Sequence, residues 1–210
     1  MYNKFALFFS TNSYKNQFFL LKLILKIFLI MKNFGIFYSV LILFFNGFSQ
    51  NRLATHAGTI LFEASVPSFE EVKANNNDVS CIINTDTGEI TSLAFIREFH
   101  FKMAMMEEHF NENYLESSKF SKATFKGVIQ GFNLAIIGNT PKEFILNGQL
   151  TVHGKSKAIN SVAMIQKTEK GLEIKTNFKI NTSDFNIKIP KIVKYKIAEV
   201  VTINSNFLML

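Results

Sequence analysis

The chain has 210 residues, 48% of them hydrophobic, and a formal charge of +7. Its length suits one domain with a substantial core and excludes two large ones. The charge is not a nucleic-acid signature: residues 1–49 carry five lysines and no acids, which leaves 18 basic against 16 acidic residues for the remainder, and no polyanion is needed to balance that body.

The first segment, 1–49, reads as an apolar leader. Phe18 to Ile30 is interrupted by Lys22 and Lys26, Met31-Lys32-Asn33 restarts a shorter unit, and Phe34 to Phe48 is largely apolar without charge. Gly47 and Ser49 then stand at the −3 and −1 places before Gln50. This layout fits a secretory signal peptide better than a permanent span. The expectation is a periplasmic or secreted protein whose true start is Met1 or Met31, with membrane contact through the leader if it is retained. No cysteine stands at the boundary, so the usual bacterial lipoprotein acylation lacks an acceptor. Cys81 is the single cysteine. It excludes an intramolecular disulfide framework and is expected to pack as a small apolar residue.

From Gln50 onward, residues 50–210 read as one domain with a period near two. Ile60, Phe62, Ala64 and Val66 share one side of the first run, with Leu61 as the exception. DVSCIINT and EITSLAFIREF are joined through Asp86-Thr87-Gly88, a hairpin turn with the glycine that a tight reversal requires. The run ATFKGVIQGF follows a helical stretch and contributes Phe125. Phe144, Leu146, Gly148, Leu150 and Val152 alternate in KEFILNGQLTV, with Ile145 out of phase. SVAMIQK reaches LEIKTNFKI through Thr168-Glu169-Lys170-Gly171, a second hairpin, and Leu172, Ile174, Thr176, Phe178 and Ile180 share a face. Val201, Ile203, Ser205 and Phe207 close the chain. About eight antiparallel strands result, all-β, as a barrel or a sandwich. Large and small inward residues alternate, which fits either a hollow interior or two interdigitating sheets.

Between the strands, Lys102 to Tyr114 changes period. Met103, Met106, Phe110 and Tyr114 lie on one helical face and Glu108, Glu112 and Glu116 on another, an amphipathic helix that either lids a barrel end or covers core. Its Met-Met-Glu-Glu-His stretch has methionine where a zincin motif needs its first histidine, so no metal site is expected. Glu107 and Glu108 are adjacent and splay apart, and so form no acid/base pair. No nucleophile elbow, phosphate loop or dinucleotide fingerprint occurs, and no cofactor is expected. One enzymatic alternative stays open: a lipid-like substrate acted on by His109 or His153 as base, with Glu108 in support.

The segment MMEEHFNENYLESSKFSKATFKG, Met105 to Gly127, resembles the central signature of the YceI-like family, in which a Met-x-x-His helix leads through Asn-Glu-Asn-Tyr and a Glu-Ser-x-Lys turn into Ala-Thr-Phe-Lys-Gly. GQLTVHGKSKAI (Gly148 to Ile159), TSDFNIKIP (Thr182 to Pro190) and KIAEVVTINSNFLM are similar to further family stretches in the same order. Two departures stand out: Lys119-Phe120-Ser121 replaces a Lys-Tyr-Pro turn, and Asn186 replaces the glycine after Asp184-Phe185. Asparagine tolerates left-handed backbone angles, so the second change is compatible with the same turn. The resemblance implies an elongated lipocalin-like antiparallel barrel that holds a polyisoprenoid or similar long-chain lipid in its lumen, with no catalytic group required. On that implication the lumen is assigned to Phe62, Phe125, Phe144, Leu146, Leu150, Val152, Leu172, Ile174, Phe178 and Ile203, closed by Met106 and Phe110 from the helix.

Overall fold

The computed structural model describes residues 20–23, 25–26 and 51–210. The remaining leader residues, the expected cleavage point and Met31 lie outside the described residues. The chain divides into two units, Met1–Ser49 and Gln50–Leu210. Among the described residues every strand belongs to the second unit, and no helix is long and apolar enough to cross a membrane.

Nine strands form one sheet: β1 (Arg52–Ser65), β2 (Lys73–Asn84), β3 (Glu89–Phe95), β4 (His100–Phe101), β5 (Lys122–Ile129), β6 (Lys142–Val152), β7 (Lys155–Thr168), β8 (Gly171–Asn181) and β9 (Ile197–Met209). Neighbours are antiparallel in the order β1-β9-β8-β7-β6-β5-β3-β2, and β2 pairs back onto β1, so the sheet closes on itself. Closure leaves no long edge to template aggregation. The two-residue β4 resumes the course of β3 along β2 after a 3-10 turn at Ile96–Glu98, so the two act as one stave of an eight-stave barrel. The Asp86-Thr87-Gly88 and Thr168–Gly171 hairpins form where the turn chemistry places them, with Gly88 at φ +72°. A further two-residue turn, His153-Gly154, joins β6 to β7 with both residues at positive φ.

Register rather than composition decides which side chains face inward. In β2 the inward set shifts phase between Asn76 and Val79, because the Asn76 carboxamide oxygen accepts the Asp78 N–H at 2.9 Å and inserts an extra residue. Asn76 itself has no exposed surface, and its amide donates to the Phe95 carbonyl at 3.1 Å. In β1 the phase shifts at the next step of the ladder, between Thr55 and Gly58, opposite Cys81 and Val79. The two irregularities keep apolar residues inward along unusually long strands.

Cross-strand partners arrange the interior in rungs. The lowest runs through Ile165, Ile174, Phe207, Gly58 and Val79. All five are buried, and the Phe207 ring lies so close over Gly58 that any Cβ there would strike it. Leu172, Met209, Cys81, Ile83, Phe132 and Phe144 complete this filled end. A middle rung joins Ala163, Thr176, Ser205 and Ile60, and an upper one joins Phe178, Ile203, Phe62, Ala74 and Phe101. In the upper rung only Ala74 is fully buried.

The helical segment differs from expectation. The α-helix α1 covers Ala104–His109 only, and Phe110–Tyr114 continue as a π-turn, with the Leu115 N–H reaching back to the Phe110 carbonyl at 2.9 Å. The Asn111 amide occupies the Glu107 carbonyl at 3.0 Å, competing with the helical ladder and stabilising the wider turn. Spacing alone does not reveal such an insertion.

Candidate functional site

Above the filled end the barrel encloses a cavity of about 520 Å³. Its floor is Phe125, whose ring lies across the paired Gly127 and Gly148, so that a Cβ on Gly148 would meet both that ring and the Lys126 carbonyl, 2.6 Å away. The paired glycines thin the wall at that level and let an aromatic side chain lie flat, which leaves the space above it open. Leu146, Leu150 and Val152 from β6 form one wall; Phe178, Ile203, Ile60 and Phe62, on the adjacent staves β8, β9 and β1, form another.

Four aromatic rings gather on one side. Phe62 stacks on Phe110 at 5.2 Å and meets Phe101 at 5.5 Å and Phe99 at 5.6 Å, while Phe101 and Phe110 meet at 5.1 Å. β4 and the π-turn therefore press their rings onto β1 and seal the gap where β3 yields to α1. The Glu107 carboxylate pins this junction, accepting the Phe101 N–H at 3.0 Å and facing His100 Nδ1 at 3.4 Å. Met106, Tyr114 and Leu115 complete the cover. Burial pushes the Tyr114 phenol above its usual range.

Polar groups in the walls are few. The Thr176 and Ser205 hydroxyls, on neighbouring β8 and β9 positions, share a 2.7 Å hydrogen bond, and Ser92 is buried nearby. Glu70, His109 and Lys196 also border the cavity. No group of three or more metal-ligating side chains occurs among the described residues. Cys81 is fully buried, and desolvation pushes its thiol up to about 12.

Of the twelve residues assigned to the lumen, Phe62, Met106, Phe110, Phe125, Leu146, Leu150, Val152, Phe178 and Ile203 border the cavity. Phe144, Leu172 and Ile174 also point inward, but they pack in the filled end among other buried apolar side chains and do not border the cavity. Phe99 and Phe101 lie outside the sequence reading, which places Thr176 and Ser205 inward but not as a hydrogen-bonded pair. The period-two spacing of Phe99, His100 and Phe101 was the signal for the first two.

The two histidines raised as bases stand in different settings. His109 is exposed at the cavity border. His153 lies off the cavity as a clasp: Nε2 is 2.8 Å from the Glu116 carboxylate, Nδ1 is 3.1 Å from the Phe185 carbonyl, and the Phe120 ring packs edge-on at 4.5 Å. It ties the β6–β7 turn to the loop before β5 and to the Thr182–Phe185 turn, so its ring nitrogens are committed to structure. Asn186 closes that last turn in the left-handed region at φ +57°, as its tolerance for this region allows. Phe120, in place of the tyrosine of the related motif, still packs, with Lys119 over its ring at 4.9 Å.

The family described as YceI-like domain matches residues 52–208. The fold is similar to a polyisoprenoid binding domain from Saccharophagus degradans implicated in plant cell wall breakdown (TM-score 0.64, 13% identity, covering 77% of this chain and 98% of that one). It is also similar to BcnA of Burkholderia cenocepacia (TM-score 0.60, 16% identity, 72% and 96%) and to the YCEI protein of Campylobacter jejuni (TM-score 0.54, 19% identity, 69% and 87%). No curated protein matches the sequence.

Proposed function

This chain belongs to the YceI-like domain family, and from that premise we propose that its barrel sequesters or transports a polyisoprenoid or similar long apolar chain in the cavity. The observation that carries the reading is the contrast in polarity: about 520 Å³ of space bordered mostly by aromatic and aliphatic side chains, with the Thr176 and Ser205 hydroxyls in its wall hydrogen-bonded to each other. Such a volume lies within the roughly 300–1,000 Å³ of ordinary ligand sites. Each CH₂ taken from water into it gains about 0.8 kcal/mol, so a long tail is held without ionic contacts. The polyisoprenoid binding domain that shares the fold supports the ligand class. The role is binding, with no reaction assigned.

Export through the leader belongs to the same reading. Its support is the arrangement of Lys32, the apolar Phe34 to Phe48 stretch, and Gly47 and Ser49. N-terminal sequencing of the protein recovered outside the cytoplasm should begin at Gln50; retention of residues 1–49 would replace a cleaved signal with an anchor.

Solvent extraction of the purified protein followed by mass spectrometry should release a long-tailed lipid. Phe178→Asp, which puts a carboxylate against the tail, should reduce the lipid recovered far more than Lys179→Asp on the outer face of the same strand. Equal losses, or an extract without lipid from protein refolded in the presence of polyprenol, would refute the apolar-tunnel reading.

A further inference from the structure

The β8–β9 connection carries a surface that the cavity does not use. From Ile187 to Ile197 it runs along the cavity border, with Ile187, Ile189, Val193 and Ile197 turned to the cavity. Ile192 and Tyr195 point away and are 79% and 58% exposed. Two consecutive turns create this arrangement. The Val193 N–H donates to the Pro190 carbonyl at 3.0 Å and the Lys196 N–H to the Val193 carbonyl at 2.9 Å, so Ile192 and Tyr195 each occupy the third place of a turn and are carried outward. Phe69, from the β1–β2 loop, stands edge-on to Tyr195 at 5.5 Å and is also exposed. Met103, which caps α1, and Met105, within it, add exposed apolar surface to the border of the same cavity.

Charge accompanies these apolar tips. Lys188, Lys191, Lys194 and Lys196 fall within nine residues that hold no acid; Glu199, early in β9, is engaged by Lys194 at 2.7 Å, and Asp184, earlier in the connection, by Lys157 at 3.2 Å. Glu70 and Glu71 follow Phe69, and Glu71 pairs with Lys73 at 3.5 Å. Exposed aliphatic and aromatic tips are stabilised only when something removes them from water. Lysine, strongly hydrated and flexible, is depleted from protein–protein interfaces but is the residue that anionic headgroups attract, at about 1 kcal/mol each. An aromatic with a polar end, such as Tyr195, suits the same interfacial layer.

We propose that this rim docks on an anionic phospholipid bilayer, with Ile192, Tyr195 and Phe69 entering the interface and the surrounding lysines meeting the headgroup phosphates. Docking of this kind brings the cavity border to the lipid phase. It stands independently of which tail the cavity accepts, because Ile192, Tyr195 and Phe69, the side chains that enter the interface, do not border the cavity.

The test uses the full chain with an environment-sensitive nitrobenzoxadiazole label on Ile192→Cys or, separately, Tyr195→Cys. The buried, unreactive Cys81 leaves the introduced thiol as the site of attachment. Label on Lys170→Cys, in the β7–β8 turn beside the filled end, is the control. With vesicles of phosphatidylcholine and phosphatidylglycerol, emission from positions 192 and 195 should shift to the blue and be quenched by brominated acyl chains; position 170 should not respond. Adding Lys188→Glu and Lys191→Glu should raise the lipid needed for half the response at least about tenfold, and pure phosphatidylcholine should give little response. The proposal is overturned if position 170 responds as position 192 does, which any tethering through residues 1–49 alone would produce. It is equally overturned if pure phosphatidylcholine is as effective, if the label is shielded before vesicles are added, or if the response follows protein concentration without lipid, which would point to a second copy.

Discussion

At one end of the barrel Val79, Cys81, Ile165 and Ile174 have no exposed surface at all; elsewhere along the same or adjacent strands Phe62, Phe178 and Ile203 keep theirs against a cavity. The two ends share strands, alternation and hydrogen-bond pattern. They differ in how side-chain volume is distributed around each rung. In the lowest rung four of the five residues, Ile165, Ile174, Phe207 and Val79, are bulky, and Phe207 fills the place that Gly58 vacates. Higher up, Ala74, Ala94 and Ala123 alternate with rings held back against the wall. Stability can therefore be concentrated in one half of a barrel while the other half stays open to a ligand, without any change in backbone architecture.

Truncation on either side of the boundary should show this division most strongly. Ile174→Ala removes a fully buried side chain from the filled end and should cost roughly 2–5 kcal/mol in urea unfolding, while folded molecules keep their capacity for a long-chain lipid. Phe178→Ala, farther along the same strand, should cost less stability and more lipid retention, because the space it leaves joins a cavity already present. Similar stability losses from both would erase the distinction between the ends.

Gly148→Val attacks the boundary itself. The added methyls meet the Phe125 ring and the Lys126 carbonyl, of which only the ring can yield. Overpacking of this kind costs roughly 1–3 kcal/mol. The displaced ring should also move into the cavity, so lipid capacity and stability fall together. A variant that loses stability yet binds as before would show that Phe125 is not the floor.

The Thr176–Ser205 pair offers a finer test, since it is polar yet sits in an apolar wall. Thr176→Val leaves the Ser205 hydroxyl without its partner and should cost toward the lower part of the roughly 1–3 kcal/mol expected for an orphaned buried group, because water entering the cavity can replace the bond. Combining it with Ser205→Ala should recover most of the loss, which a double-mutant cycle reads as coupling. Strict additivity would show that the two hydroxyls act separately.

Much of this architecture is legible in the sequence alone. Alternation and the two hairpin turns locate most of the strands, and the closed barrel itself comes from family motifs, since periodicity alone leaves a sandwich equally open. The inward positions along β6 and β8 follow from the same alternation. Whether an inward residue meets a cavity or a neighbour is not legible: Phe144, Leu172 and Ile174 have the same pattern as Phe178, and only the rung assembled across distant strands separates them. The π-turn is hidden for a related reason, because it depends on the Asn111 side chain taking a carbonyl that helical periodicity assumes is already bonded. His153 illustrates the converse. Its two partners, Glu116 and Phe185, lie 37 and 32 residues away, so its clasp exists only in three dimensions.

The smallest expected effect lies on the outer face of the filled end. Glu173 accepts hydrogen bonds from Lys175 Nζ at 2.8 Å and Gln166 Nε2 at 2.6 Å, and these, Lys175 foremost, hold its carboxyl below the usual glutamate range despite partial burial. A folded-state value below the unfolded one means that the charged form favours folding above the ordinary glutamate range, and that this contribution is lost as pH falls through the lowered folded value. Lys175 is half exposed, which limits the pair to about 0–1 kcal/mol. The melting temperature of Glu173→Gln should therefore sit slightly below that of the unaltered protein at neutral pH, and the gap should close on acidification and shrink in high salt. A gap that persists unchanged at low pH would assign the effect to packing of the side chain against its strand neighbours, extending to the outer wall the rule that volume, rather than charge, holds the filled end together.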